Sequence, residues 1–135
     1  MTTFLRNNYP SILWGSLIFL LTGLPGSVFP ALPAFMDLFQ PDKLVHLFIF
    51  LVFVFLLVRG FRMDGTPSMV RRNPVTIALT LAITIGGATE IMQGLVIPMR
   101  VASPYDFLAN VAGSILGAIL FLLWERRKKK TEIRK

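Results

Sequence analysis

The sequence contains no cysteine, and only 16% of its 135 residues are charged. The absence of cysteine excludes disulfides, thiol nucleophiles and cysteine-based metal sites. The hydrophobic fraction is 54% and the mean hydropathy is +0.67. A soluble domain of this length could not bury so much apolar surface, so the composition predicts an integral membrane protein with one domain and no internal repeat.

The net charge of +7 would suit a nucleic-acid-binding protein, but the placement of the charges argues against that function. The basic run Arg126 to Lys130 directly follows an apolar segment. Anionic lipid is the ordinary partner of a basic run at that place. We therefore expect a membrane protein that binds no nucleic acid.

Four apolar segments predict an all-α, polytopic fold, a four-transmembrane-helix bundle with spans at about 10–24, 42–59, 74–97 and 104–124. The first span is expected to be retained rather than cleaved as a signal peptide. Prolines punctuate residues 26–41, which predicts an interfacial or re-entrant loop with a short helix around residues 33–39. Residues 1–125 would form the membrane domain and residues 126–135 a basic cytoplasmic tail.

Prolines and polar caps mark where the predicted helices begin. Pro10 would open the first span, and Asn73-Pro74 would open the third. Ser103 and Asp106 have the spacing of a capping box for the fourth span, which is expected to end at Trp124. Small residues recur every four positions in that span and predict close helix packing, within the bundle or between chains, at Ala109, Gly113 and Gly117.

The charges also predict an orientation. Most of the Lys and Arg residues are Arg6, those of residues 59–72 and those of the C-terminal tail. A topology with four spans would place all of these on one side of the membrane. The other side would hold only Lys43 and Arg100 against four acids. By the positive-inside rule both termini are cytoplasmic, and the polar end between them faces outward.

The stretch Gly86 to Gly94 contains the most unusual chemistry, because Glu90 and Gln93 lie inside an apolar span. Residues three apart project from one side of a helix. An ionisable residue within a span is costly, which makes it a functional-site hypothesis by default. The predicted topology brings further polar residues to the same outer end and so predicts one pocket, built from Asp42, Lys43, His46, Glu90, Gln93, Arg100, Ser103, Asp106 and Asn110.

Each of these residues also has an ordinary structural interpretation. Ser103, Asp106 and Asp42 can be caps, Lys43 can reach lipid phosphates, and Arg100 can neutralise Glu90. Asn110 and Gln93 can form interhelical hydrogen bonds, worth about 0.6 kcal/mol each on average. Burying several charges together nevertheless costs free energy, and replacing a buried ion pair with apolar residues is often neutral or better for stability. The cluster as a whole therefore favours a functional pocket.

The motif Asp42-Lys43-x-x-His46, then Glu90-x-x-Gln93, Arg100, Ser103-x-x-Asp106, Asn110 and Gly113 with Gly117, resembles the VanZ-like family of small bacterial membrane proteins. The resemblance covers roughly residues 42–117. It implies a four-helix protein of the bacterial cell envelope. Because the founding member is linked to low-level resistance to teicoplanin, the resemblance implies a role in glycopeptide antibiotic susceptibility, which is a phenotype rather than a reaction.

The first functional hypothesis is an enzyme that acts at the outer leaflet on a membrane lipid or lipid-linked cell-wall precursor that carries phosphate. His46 would be the general base or nucleophile, oriented by Asp42, Glu90 or Asp106. Lys43 and Arg100 would hold the phosphate. The polar side chains left for substrate binding are Gln93, Ser103 and Asn110.

Three other functions use the same residues. A binding protein without chemistry could hold a headgroup, a peptide end or an antibiotic. A divalent-cation site could use His46 with the three acids, although no spacing typical of zinc enzymes is present. A proton or ion pathway is disfavoured because the inner halves of the spans lack polar steps. The sequence indicates neither a required cofactor nor an oligomeric state.

Overall fold

The computed structural model describes residues 3–28 and 41–133, and within them the protein is all-helical with no strand. The all-α prediction is therefore confirmed. The predicted short helix at residues 33–39 lies outside the described residues. The helices are α1 (Thr3–Gly23), a 3-10 turn (Gly26–Val28), α2 (Pro41–Phe61), the short α3 (Ser68–Arg72), α4 (Pro74–Leu95) and α5 (Pro104–Ile133).

Three of these helices are long and apolar enough to cross a membrane, which is consistent with a multi-pass membrane protein. They are Asp42–Phe61, Pro74–Leu95 and Pro104–Glu132. Helix α1 has 21 residues but is not among the three within the described part of the chain. Its first half carries Arg6, Asn7 and Asn8, which lower its apolar character.

Helix α1 does not begin at Pro10, as the sequence predicted, but at Thr3, with Pro10 inside the helix. Proline removes one backbone hydrogen bond from a helix interior. Local contacts hold the first turns in place nevertheless. The Asn8 side chain donates to the Phe4 carbonyl at 2.9 Å, and Phe4 stacks on Phe61 of α2 with 6.5 Å between ring centroids.

Helix α5 continues to Ile133 instead of ending at Trp124. The helix continues past the end of its apolar segment, because Lys, Arg and Glu are good helix formers. Lys130 lies in the last turn, where a cation complements the helix dipole. The predicted division into residues 1–125 and 126–135 is therefore not marked by a helix end, and it stays a prediction.

Helices α2 and α5 run parallel and make the most extensive contact in the structure. A Cβ at Gly113 would collide with the carbonyl oxygen of Leu47, and a Cβ at Gly117 would collide with that of Leu51. The two backbones can approach this closely only because both positions are glycine. The small-residue stripe therefore packs within the chain, and it fixes the register of α5 against α2.

Helix α1 lies antiparallel to α2, and α4 contacts α1, α2 and α5. In the middle of α1, the indole of Trp14 donates to the Ile49 carbonyl at 2.8 Å. As predicted, α4 begins at Pro74 and α5 at Pro104. The Asn73 side chain forms no capping hydrogen bond, so proline at the first helical position marks that start alone.

Candidate functional site

The polar end of the structure is where α2 and α5 begin and α4 ends. Four polar side chains are buried there and contribute to one cluster. The exposed fractions are 4% for His46, 5% for Glu90, 6% for Asp106 and 1% for Asn110. Helix α2 supplies the histidine, α4 the glutamate, and α5 the aspartate and the amide. The structure thus brings together residues that the sequence separates by more than sixty positions.

His46 is held by Asn110, whose Oδ1 lies 3.0 Å from Nδ1 of the imidazole. An amide oxygen only accepts hydrogen bonds, so Nδ1 must carry the hydrogen. In the neutral imidazole the lone pair is then on Nε2. That atom lies 3.9 Å from Oδ1 of Asp42, at the more exposed side of the cluster.

Glu90 connects the end of α4 to the start of α5. Its Oε2 accepts a hydrogen bond from the backbone N–H of Ser103 at 3.2 Å. Its Oε1 lies 3.7 Å from Nδ1 of His46. The glutamate therefore lies on the Nδ1 side of the imidazole, and Asp42 lies on the Nε2 side.

Half of the predicted capping box is present. The backbone N–H of Asp106 donates to Oγ of Ser103 at 3.3 Å. In a complete box the Asp106 carboxylate would accept from the Ser103 N–H, but Glu90 accepts that bond instead. The Asp106 carboxylate is thus directed to other contacts, and its Oδ1 lies 3.4 Å from Nζ of Lys43.

The two cations of the polar end lie nearer to solvent than the cluster. The exposed side-chain fraction is 33% for Lys43 and 18% for Arg100. A guanidinium nitrogen of Arg100 lies 4.0 Å from Oδ1 of Asp42. Each cation is therefore beside a carboxylate of the cluster while retaining access to the exterior.

Gln93 is buried, and its side chain forms a hydrogen bond to α1. Its side-chain nitrogen donates to the Thr22 carbonyl at 3.2 Å. This contact fits the interhelical role that the sequence also allowed. A role for Gln93 in substrate binding stays a prediction.

Three buried atoms beside the imidazole form no hydrogen bond within the described part of the chain. They are Oε1 of Glu90, Oδ1 of Asp106 and Nδ2 of Asn110. Buried polar groups in proteins almost always have partners, and each missing partner costs about 1–3 kcal/mol. Two of these atoms lie beside a charged or polar partner, since Oδ1 of Asp106 is 3.4 Å from Nζ of Lys43 and Oε1 of Glu90 is 3.7 Å from Nδ1 of His46. All three retain the capacity for a hydrogen bond to a ligand or to ordered water.

One subset of the cluster has a spacing suitable for a cation. A ligand atom from each of Asp42, His46 and Asp106 lies within 4.8 Å of the others. The sequence had grouped Glu90 with them as a ligand. In the structure Glu90 lies on the opposite side of the imidazole from Asp42.

Sequence reasoning identified Asn110 as a substrate-binding candidate but missed it as the partner of His46. The signal that could have found it is Gly113, whose contact with Leu47 sets the register between the helices. Asn110 lies one turn before Gly113, and His46 directly precedes Leu47, so the two side chains meet. Gly86 of α4 leaves room on the other side, since a Cβ there would lie 3.2 Å from Cβ of Asn110.

No protein-family model matches this chain, and neither a curated protein nor a solved structure does. The resemblance to the VanZ-like family therefore rests on the order and spacing of the residues of the motif alone.

Proposed function

We propose that this protein is a four-span protein of the bacterial cytoplasmic membrane that binds a phosphate-bearing lipid headgroup or lipid-linked cell-wall precursor. The observation that carries the proposal is the buried cluster of His46, Glu90, Asp106 and Asn110 between the ends of membrane-length apolar helices. Burying such a cluster within a membrane costs free energy, and ionisable residues at such places usually have a function. The partly exposed Lys43 and Arg100 provide charges that suit an anionic headgroup.

The proposed topology takes α1 as the fourth span. At the end away from the cluster, Asn7 donates to the Asp64 carbonyl at 2.7 Å, and Arg62 of α2 pairs with Glu125 of α5. This basic end also carries the exposed Arg71 and Arg72 of α3. The positive-inside rule favours a cytoplasmic location for it, and the cluster would then face the outer leaflet.

The phosphate would be bound at the mouth of the cluster. Arg100 offers a planar fork that can form two hydrogen bonds to phosphate, and Lys43 offers a mobile point charge. Helices α2 and α5 both begin here, so their first N–H groups and dipoles favour an anion. The apolar surfaces outside these helices would receive the acyl or polyprenyl chain.

Any chemistry would use Nε2 of His46. The hydrogen bond to Asn110 leaves the lone pair of the neutral ring on that nitrogen. A lone pair at this place can accept a proton or bind a cation. Catalytic roles for Asp42, Glu90 and Asp106 would be indirect, through the position and charge of His46 and the ligand.

The VanZ-like resemblance supports an envelope function and suggests an effect on susceptibility to teicoplanin-type antibiotics. A lipid-linked cell-wall precursor is a ligand that would connect the two. Binding of a lipid or antibiotic without any reaction is the second candidate, because the same geometry serves both.

Lipid copurification tests the headgroup proposal. Gently purified protein would be examined by native mass spectrometry and lipid extraction, with wild type beside Arg100→Ala, Lys43→Ala and His46→Ala. Arg71→Ala is the matched control, since it removes an Arg at the basic end that pairs with Asp64. We expect a phosphate-bearing lipid on wild type and Arg71→Ala, and its loss from the Arg100 and Lys43 variants. The same mixed lipids on every variant would contradict the proposal.

The His46→Ala sample separates chemistry from binding. Accumulation of one bound lipid relative to wild type would indicate that turnover has been blocked. An unchanged lipid, together with no product from wild type, would favour the non-catalytic binding protein.

A further inference from the structure

Asp42, His46 and Asp106 present lone-pair atoms to one another at the mouth of the cluster. One ligand atom of each lies within 4.8 Å of the others, and two of the three residues are buried. We infer that these three residues hold a divalent cation, which joins the site to the phosphate of the headgroup. The inference rests on the proposed function for the identity of the ligand that the cation contacts.

The state of the imidazole supports His46 as a ligand. Its Nδ1 hydrogen is used by Asn110 Oδ1 at 3.0 Å, so the neutral ring has a lone pair on Nε2. Nε2 lies 3.9 Å from Oδ1 of Asp42, which is also an acceptor. Two acceptor atoms at this separation can share a cation, and the guanidinium of Arg100 lies on the same Oδ1 at 4.0 Å.

The buried acids supply the second, independent observation. Asp106 is only 6% exposed, yet its Oδ1 accepts no hydrogen bond from the described residues. Its charged partner is Lys43, whose Nζ forms an ion pair with it at 3.4 Å from a side chain that is one-third exposed. An ionised oxygen that is buried without a hydrogen bond is a position that metal coordination satisfies.

The charges of the polar end are compatible with an additional cation. Among the described residues, Lys43 lies beside the carboxylate of Asp106 and Arg100 lies beside that of Asp42. These two pairs balance each other, so a phosphate would add negative charge to the site. A bound divalent ion would offset that charge, and a metal is often the largest local charge in a phosphate site.

The surroundings of His46 resemble those of metal-binding histidines in general. Such histidines usually donate the second ring N–H to a carbonyl or carboxylate, which fixes the ring orientation. Here Asn110 accepts that hydrogen, and Glu90 Oε1 lies 3.7 Å from the same nitrogen. Asn110 and Glu90 are therefore positioning residues in this inference, and only the other three are ligands.

The ligand set indicates the class of ion. Two carboxylates and one imidazole suit a hard or borderline divalent ion such as Mn²⁺, Mg²⁺ or Zn²⁺, and the chain has no cysteine thiolate. Three protein ligands leave coordination positions for water and for a phosphate oxygen. Lys43 and Arg100 would then contact the remaining phosphate oxygens.

Manganese titration followed by electron paramagnetic resonance tests the site on the full chain in phosphate-free detergent. We expect wild type to bind one Mn²⁺ per chain, and Asp106→Asn and His46→Gln to bind it at least tenfold more weakly. Asp64→Asn is the control, because it removes an exposed acid at the basic end. Absence of stoichiometric Mn²⁺ on wild type, or equal affinity of wild type and Asp106→Asn, would overturn the inference.

A second experiment uses only the wild-type protein, so its result does not depend on whether a variant folds. His46 is the only histidine in the chain, so histidine labelled with ¹⁵N gives signals from this ring alone. Bound Mn²⁺ is expected to broaden both ring signals of wild type at equimolar metal. Sharp, unshifted signals at that concentration would overturn the inference.

The two proposals can fail separately. If lipid phosphate binds equally well with and without a chelator, the headgroup site stands and the cation inference is overturned. If Mn²⁺ binds as expected but phosphate-bearing lipids are not preferred, the cation site is supported and the headgroup proposal is wrong.

Discussion

Nδ1 of His46 lies 3.0 Å from Oδ1 of Asn110, and both side chains are buried between α2 and α5. This contact fixes which ring nitrogen carries the hydrogen. It also means that the reactive lone pair of the neutral ring faces Asp42 and the exterior rather than the protein interior. The chemistry available to the site therefore depends on an amide that carries no charge.

Replacement of Asn110 by Ala is expected to release the imidazole from a single tautomer. The ¹⁵N spectrum of wild type should show that the neutral imidazole carries its hydrogen on Nδ1. The spectrum of Asn110→Ala should show a mixture of the two tautomers. Loss of the buried hydrogen bond should lower the free energy of unfolding by about 1 kcal/mol. A wild-type spectrum with hydrogen only on Nε2 would contradict the described geometry.

Gly113→Ala is expected to destabilise the protein, because its Cβ would collide with the backbone of Leu47. Overpacking of this kind costs about 1–3 kcal/mol, which thermal unfolding in detergent would detect. Gly87→Ala is the matched control within a span, since its Cβ would find Phe107 at an ordinary 3.6 Å. Equal unfolding temperatures for the two variants would mean that α2 and α5 do not pack as described.

The proposed orientation predicts which loops can be labelled from outside the cell. The chain has no cysteine, so single cysteines can be introduced without a background. Ala102→Cys, in the exposed link between α4 and α5, should react with an impermeant maleimide in intact cells. Met69→Cys of α3 should react only after permeabilisation, and the reverse pattern would contradict the orientation.

Glu90 is expected to tolerate loss of its charge better than loss of its oxygen. Glu90→Gln keeps an acceptor for the N–H of Ser103, whereas Glu90→Ala leaves that N–H without this partner. We expect Glu90→Ala to lower the free energy of unfolding by about 1–3 kcal/mol, and Glu90→Gln to lower it by less. A larger loss in Glu90→Gln would show that the charge, not the hydrogen bond, is what stabilises the link.

Helix starts were easier to predict from the sequence than helix ends. Pro74 and Pro104 mark true starts, because proline is well suited to the first helical position. Pro10 was misleading for the same reason, since tertiary contacts of Phe4 and Asn8 extend α1 past it. The end of α5 was missed because hydropathy indicates where an apolar segment ends, and the helical hydrogen bonds of the backbone continue beyond that point.

The site was predicted as a set of residues, but not as a set of contacts. Topology alone brings the ends of the spans together, which sufficed to group His46 with Glu90 and Asp106. The pairing of His46 with Asn110 depends on register, which the Gly113 contact sets. The hydrogen bond from Gln93 to α1 also depends on the register between two helices, and no residue pattern in the sequence indicates that register.

The most direct test of the account is a comparison of one lipid with and without its phosphate. Native mass spectrometry would measure the dissociation constants of a diacylglycerol and of the same molecule carrying a phosphate. Wild type should prefer the phosphate form by tenfold or more, which corresponds to about 1.4 kcal/mol. Lys43→Gln with Arg100→Gln should lose that preference, while Arg71→Gln with Arg72→Gln at the basic end should retain it. Equal affinity of wild type for the two lipids would contradict a phosphate-headgroup site.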